Sequence, residues 1–407
     1  MFDNERIRLC SRAHERRKFQ PQMNAPTALV CRELRLRTFR NFAELELSLP
    51  PSGAVIVGEN GSGKTNLLEA VHYLEIFRSF RGAADEQLVR FDAEAFHVRG
   101  RFEDPAAAHT LEITAAYEPR TRRKRVTLDG APVERLGDAI GRLGTVMFSP
   151  SDVNTVAGGP GERRRFLDIV LSLNTRGYLD ALQRYRNVLR RRNAALRDGS
   201  SGDVLAVWDD ALVESGTHVI RARTAWVHAY APRFATLYAM ISGGAQANMT
   251  YDADVAPEDG GDEHVAAAFA ARLRRVAARE RERGVTLAGP HRDDLRLYML
   301  DESVPAELRQ FGSGGQVRTA AIALRLIEAE TVHRARGFRP LLLLDDVFAE
   351  LDVPRSRRVL ELLRAQQHGQ VLLTAPKDAD VLLDEVGDAA FGQPLARWRI
   401  AAGRVAT

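Results

Sequence analysis

The alternation of apolar and polar positions begins at Leu29. Leu34, Leu36 and Thr38 alternate with Arg35, Arg37 and Phe39, and Leu45, Leu47 and Leu49 repeat the two-residue period. That period predicts two half-buried strands. Pro50-Pro51-Ser52-Gly53 reads as a turn. The wholly apolar Ala54-Val55-Ile56-Val57 then suits a strand buried on both faces. Further strands are expected near Phe96–Phe102, Leu111–Tyr117 and Val126–Leu128, with the five basic residues of Arg120–Arg125 at a hairpin tip.

From about Glu162 to Arg283 the period becomes helical. Leu205, Trp208, Leu212, Val219, Ala222 and Trp226 form one apolar stripe. Pro232 is expected to kink or end that helix. Gly243-Gly244 and the acidic Asp252–Asp262 stretch read as loops, and Ala266–Arg283 as a helix with an arginine-rich face. Strands resume with Leu295–Leu300, Leu341–Leu344 and Val371–Thr374. The pattern predicts an α/β protein, a strand-rich domain interrupted by a helical block. No heptads are sustained, which argues against a long coiled coil.

The boundaries follow from these shifts. Residues 1–27 are a basic extension, with Arg6, Arg8, Arg12, Arg16, Arg17 and Lys18, expected to be disordered; Met23 is an alternative start. An N-terminal lobe is expected over 28–152, the helical block over 153–285 and a C-terminal lobe over 286–407. At 407 residues, 45% hydrophobic and 28% charged, the composition is that of a globular protein of two or three folding units. No apolar run approaches the ~20 residues of a membrane-spanning helix. Cys10 and Cys31 are too few for a disulfide framework or a zinc site, so a reducing cytoplasm is the expected location. The net charge of +4 permits nucleic-acid binding without demonstrating it.

Gly58-Glu59-Asn60-Gly61-Ser62-Gly63-Lys64-Thr65 fits the phosphate-binding pattern G-x-x-x-x-G-K-[ST]. Glycines let the backbone turn tightly and aim N–H groups at phosphate oxygens. Lys64 supplies a cation for the β- and γ-phosphates, and Thr65 a hydroxyl for Mg²⁺. A buried strand precedes the loop and a helix over Asn66–Phe77 follows, with its positive end at the ligand. ATP and Mg²⁺ are therefore the expected cofactors.

Leu341-Leu342-Leu343-Leu344 runs into Asp345-Asp346. A parallel strand delivers its C-terminal end to the ligand crevice of an open sheet. Asp345 is expected to share Mg²⁺ with Thr65, and Asp346 to orient or deprotonate an attacking water. Asp346 is one methylene shorter than a glutamate, which predicts slow hydrolysis. Ser313-Gly314-Gly315-Gln316 precedes an apolar-periodic stretch, with Ser313 as N-cap and Gly315 and Gln316 in the first turn. A P-loop, a serine-glycine helix start and an Asp-Asp strand, in that order, form the set of an ABC-type ATPase. In that arrangement the helix start of one copy covers the γ-phosphate held by the other, giving an ATP-dependent homodimer. Ala349-Glu350-Leu351-Asp352 suits a loop crossing that interface. Thr374 falls where transporter ATPases carry a switch histidine.

These residues resemble the RecF DNA replication and repair protein family. The likeness is carried by Phe39-Arg40-Asn41-Phe42, by Gly58 through Ala70 to Arg78-Ser79-Phe80-Arg81, and by Phe148-Ser149-Pro150-Ser151-Asp152. Gly161–Asp168, Gly289–Asp294, the Ser313 segment and Leu343–Asp352 complete it. The resemblance implies a head like those of Rad50 and SMC proteins with a helical lever arm. It places Arg40 and Asn41 near the nucleotide and gives Ser149–Asp152 a coupling role between metal site and arm. It further implies binding to single-stranded and double-stranded DNA at gap junctions, RecR and RecO as partners, recombinase loading and support of SOS induction. The basic segments Arg120–Arg125, Arg184–Arg192 and Arg272–Arg283 are candidates for DNA contact. A transporter ATPase subunit and a structural SMC-like tether are the alternatives. The long insertion before Ser313, the threonine at 374 and the missing coiled coil weigh against them.

Overall fold

The computed structural model describes residues 28–104, 109–255, 262–300, 304–365, 369–375 and 394–406. The basic extension lies outside the described residues, as does most of the acidic loop.

The wholly buried strand Gly53–Val57 sits inside a six-stranded sheet, parallel to Val371–Ala375 on one side and Ala396–Ala401 on the other. Leu341–Leu344 and Thr145–Phe148 continue the parallel array, and Arg404–Ala406 pairs antiparallel at the opposite edge. The four strands from Gly53–Val57 to Thr145–Phe148 are buried at every position, which is why their sequences are apolar runs rather than alternations. Parallel strands bring their C-terminal ends to one edge. The P-loop, Asp345-Asp346, Ser149 and Thr374 therefore meet there, although up to three hundred or so residues separate them.

A second, antiparallel six-stranded sheet runs in the order Phe42–Ser48, Val30–Phe39, Phe96–Asp104, His109–Glu118, Arg123–Leu128, Ala131–Pro132. Its apolar face packs in one cluster with helix Lys64–Ile76. Its solvent face carries cross-strand ion pairs, among them Arg32–Glu103, Arg37–Glu44 and Arg99–Glu112. The first strand departs from the expected alternation at its end. Leu34 and Leu36 face the core, but Thr38 takes φ 50° and Phe39 is buried in its place. Phe39 then meets Phe96 edge-on at 5.4 Å.

The helical block contains Pro160–Asn174, Tyr178–Arg197, Gly202–Ser242 and Asp262–Arg283. Of the two outcomes expected at Pro232, a kink or an end, the structure excludes the end: helix Gly202–Ser242 runs on past it. The residues beyond it explain why. Phe234, Leu237, Tyr238 and Ile241 are fully buried. At ~1.5–3 kcal/mol per side chain, their burial outweighs the ~3 kcal/mol cost of an interior proline. The block also holds an unforeseen strand, Ala247–Asp252, paired antiparallel with Asp294–Met299. Helix Gly314–Arg336 lies between the block and the central sheet. Trp226 Nε1 donates to Thr331 Oγ1 at 3.1 Å, and one apolar cluster runs from Val55 and Leu342 to Phe234 and Leu237.

Candidate nucleotide-binding site

The loop from Gly58 to Thr65 leaves the central strand and enters helix Lys64–Ile76. Glu59, Asn60 and Gly61 are exposed at its crest, while Ser62, Gly63 and Lys64 are buried. Gly63 takes φ 114°, and a Cβ there would stand 2.5 Å from Asn41 Nδ2. Only glycine meets both demands. The close neighbour is a brace. Asn41 Nδ2 donates to Ser62 O at 2.9 Å, and Asn41 Oδ1 accepts from Asn66 Nδ2 at 2.8 Å. Asn41 thus ties the crest of the loop to the first turn of its helix.

Arg40, one residue earlier, points elsewhere. Its guanidinium donates to both oxygens of the buried Glu69, at 2.8 and 3.0 Å, and to Gln87 O. Among the described residues it makes no hydrogen bond to the loop; Glu69 also accepts from Ser79 Oγ. Lys64 Nζ donates to Gly58 O at 2.8 Å and Glu59 O at 3.2 Å. Ser62 Oγ is buried with no hydrogen-bond partner among the described residues.

Thr65 Oγ1 donates to Asp345 Oδ1 at 2.9 Å, joining two motifs 280 residues apart. Thr374 Oγ1 donates to the same oxygen at 2.9 Å, and among the described residues no hydrogen bond claims Asp345 Oδ2. Asp345 is 5% exposed. Burial raises its pKa, and the hydroxyls of Thr65 and Thr374 oppose that rise; Asp346 adds to it and the Arg81 charge works against it. Asp346 has φ 46°, and its backbone N–H donates to Thr374 Oγ1 at 2.9 Å.

A cavity of about 860 Å³ opens beside this cluster, lined by Thr65, Asp345, Asp346, Arg81, Ser149 and Asp152 among others. Asp152 accepts from Ser149 N at 2.8 Å and from Arg325 Nη2 at 2.7 Å. Arg325 also pairs with Glu328 and stacks on Phe166 of the helical block, its Cζ 5.6 Å from the ring centroid. The Ser149–Asp152 segment thus shares a cavity with the acidic edge and is linked through Arg325 to helix Gly314–Arg336 and to the block.

Ser313 is the N-cap of helix Gly314–Arg336, as its sequence position predicts. Its Oγ accepts from Gln316 N at 3.3 Å, while Gln316 Oε1 accepts from Ser313 N at 2.8 Å. Ser313 and Gly314 are exposed, and no hydrogen bond joins Ser313–Gln316 to the P-loop among the described residues. A Cβ on Gly315 would lie 2.8 Å from Arg355 Nη1. Arg318 pairs with Glu350 at 2.9 Å, fixing the Ala349–Asp352 loop beside the helix start. His291 is half-buried, with Nδ1 hydrogen-bonded to Tyr185 Oη at 2.6 Å and Nε2 to Thr286 O at 3.1 Å. Burial lowers its pKa to about 4, so it is neutral at physiological pH.

Two contributors were not assigned a role from the sequence. Arg81 stands in a recognised run, but nothing in its spacing shows that the loop after helix Lys64–Ile76 returns to the acidic edge. Arg325 lies mid-helix, and its partner Asp152 is 173 residues away.

A parallel sheet whose strand ends carry a P-loop, an acidic pair and a threonine, beside an antiparallel lobe and a helical insertion, defines an ATPase head of the ABC and SMC type. The family model described as RecF/RecN/SMC N terminal domain matches residues 30–385. The chain belongs to the RecF family of DNA replication and repair proteins. It is 39% identical over 358 residues to the DNA replication and repair protein RecF of Salinibacter ruber, covering 86% of this chain and 85% of that one. With the RecF protein of Frankia alni it shares 41% identity over 389 residues, covering 91% and 98%. A solved structure of the recombination mediator protein RecF-ATP in the RecFOR pathway superposes with a TM-score of 0.84 at 29% identity, covering 94% of this chain and 99% of that one.

Proposed function

We propose that this chain is an ATP-gated DNA-binding ATPase whose site is completed by a second copy of itself. The observation that carries the reading is the Thr65–Asp345 hydrogen bond, set against the exposed cap at Ser313. The residues present fit the nucleotide. Ser62 Oγ is buried and unpartnered at the loop, and Lys64 holds only neutral carbonyls that a phosphate would outbid. Gly58–Thr65 would hold the phosphates of ATP, with Asn41 fixing the loop and Arg40 bracing its helix through Glu69. Thr65 and Asp345 would hold Mg²⁺, which neutralises phosphate charge when bound. Asp346 orients the water, and its short side chain makes turnover slow.

Ser313, Gly315 and Gln316 of the partner copy cover the terminal phosphate, so the triphosphate favours the closed dimer over the open monomer. The closed dimer binds DNA through exposed arginines. Arg123, Arg125, Arg184, Arg190, Arg274 and Arg275 remain exposed, whereas Arg186, Arg192 and Arg272 are held by acidic partners. Such contacts are sequence-independent and weaken steeply with salt. Action at single-strand gaps, recombinase loading with RecR and RecO, support of SOS induction and a cytoplasmic location complete the reading. They rest on membership of the family. Sedimentation with ATP, ADP and no nucleotide, alongside a labelled gapped duplex, tests it. Dimers and DNA complexes should form with ATP and be lost with ADP. A monomer that hydrolyses ATP and binds the duplex equally well at concentrations too low for pairing would defeat it.

A further inference from the structure

Helix Pro160–Asn174 carries three consecutive arginines, of which two are engaged internally. Arg163 donates to both oxygens of Asp294, at 2.7 and 2.8 Å, and to the carbonyls of Val156 and Gly158. Arg164 donates to Asp293 O at 2.6 Å. The next residue but one, Phe166, is buried against Trp226, 6.0 Å between centroids, with Arg325 stacked on it. The helix is therefore held from several sides. Successive helical residues point ~100° apart, so Arg165 leaves the core between these anchors.

Arg165 is exposed, and its guanidinium has no hydrogen-bond or ion-pair partner among the described residues. It lines the same cavity as Thr65, Asp345 and Asp346. Its Nη1 stands 4.0 Å from where a Cβ on Gly82 would lie, and Arg81, the residue before that glycine, lines the same cavity with no ion pair among the described residues. No carboxylate among the described residues forms an ion pair with either arginine, although Asp345 and Asp346 line the same cavity. Asp152 and Glu328 are bound to Arg325, and Glu162, one turn before Arg165, makes no ion pair with it. Both arginines line a cavity at the phosphate end of the site without an ion-pair partner of their own among the described residues, an arrangement that an anion relieves.

We propose that Arg165 is a phosphate-contacting residue supplied by the helical block in cis, its guanidinium fork meeting the terminal phosphate of a nucleoside triphosphate held at Gly58–Thr65. The proposal rests on the nucleotide reading above and adds to it the discrimination of triphosphate from diphosphate. A planar fork suits paired phosphate oxygens. Because the same helix is tied to Asp294 and to the long helix through Phe166 and Trp226, the contact links the third phosphate to the block's position.

The test is equilibrium binding of fluorescent ATP and ADP with Mg²⁺, at concentrations where the chain sediments as a monomer. It uses the wild-type chain, Arg165→Gln, Arg165→Lys and Lys64→Ala. Arg165→Gln should weaken ATP about tenfold and ADP less than about twofold, and Arg165→Lys should fall between. Lys64→Ala should weaken both nucleotides. An unchanged ATP-to-ADP ratio in Arg165→Gln, with Lys64→Ala impaired, overturns the proposal and spares the P-loop reading. Wild-type binding of both nucleotides by Lys64→Ala removes that reading and the proposal with it. Loss of ATP-dependent duplex binding in Arg165→Gln, at an unchanged nucleotide ratio, would assign the residue to DNA phosphates and also overturn the proposal.

Discussion

Thr374 holds Asp345 from the neighbouring strand: its Oγ1 donates to Asp345 Oδ1 at 2.9 Å while accepting the Asp346 backbone N–H at 2.9 Å. One buried hydroxyl thus fixes the side chain of one acidic residue and the backbone of the next. Thr374→Val keeps the shape and removes both bonds, leaving the Asp346 N–H without its acceptor. The variant should lose about 1–3 kcal/mol of stability and bind ATP less tightly in the presence of Mg²⁺. Thr374→Ser should recover both. Thermal melts and nucleotide titrations check this; a valine variant that melts with the wild type would refute the bracing role.

Asp346 invites a substitution that spares the backbone. Its φ of 46° is one that asparagine tolerates better than most residues. Asp346→Asn therefore removes the charge and little else. Hydrolysis should fall by about 10²–10⁴, while ATP affinity should change less than about twofold. Steady-state phosphate release and equilibrium binding separate the two. Equal losses in both would show that Asp346 holds nucleotide rather than water.

Much of the catalytic edge was legible because its residues are local signals. The buried parallel strands are apolar runs, the P-loop is a contiguous pattern, and the Ser313–Gln316 cap is written in four residues. Long-range pairing was not legible. The basic run Arg184–Arg192 is a candidate for DNA contact from the sequence, yet Arg192 is 2% exposed and pairs with Glu280, 88 residues on. Arg40 likewise turns to Glu69, which the sequence presents as an ordinary polar position in a helix. The strand Ala247–Asp252 escaped because its six residues lie between a glycine turn and an acidic loop, and its partner comes from beyond the next helix. That the helix would not end at Pro232 was not legible because local propensity carries no information on the core that buries Phe234 and Leu237.

The exposed cap makes the shared-site reading testable at one position. Ser313→Arg places a long cation at a helix N-terminus, against the helix dipole and across the face a second copy would approach. Loss of the capping bond costs about 1 kcal/mol locally, so the monomer should fold and bind ATP as the wild type does. ATP-dependent dimers should vanish in sedimentation. Ser313→Ala, which loses the cap without adding bulk, should retain them in part. Persistent dimers in Ser313→Arg would mean that this helix start is not the closing face.

Glu75 gives the chain a pH-dependent stability that does not involve the nucleotide. Its side chain is fully buried on helix Lys64–Ile76, where Oε2 accepts from Leu143 N at 2.9 Å and Gly144 N at 3.0 Å. Oε1 is buried without a hydrogen-bond partner among the described residues. These bonds tie the P-loop helix to the segment that starts strand Thr145–Phe148. Burial raises the carboxyl pKa from 4.5 to about 7, against the opposing pull of the two N–H groups and Arg336. A carboxyl whose folded pKa lies above its unfolded value binds its proton more tightly when folded. Its contribution is complete below pH ~4.5 and is lost as pH rises through about 7. The shift corresponds to roughly 3 kcal/mol at full deprotonation. Denaturant unfolding should therefore show stability falling between about pH 5 and 8. Glu75→Gln keeps an acceptor for the two N–H groups and carries no charge, so it should flatten that slope and be the more stable protein above pH 7. A slope unchanged in Glu75→Gln would show that the buried carboxyl is not its source.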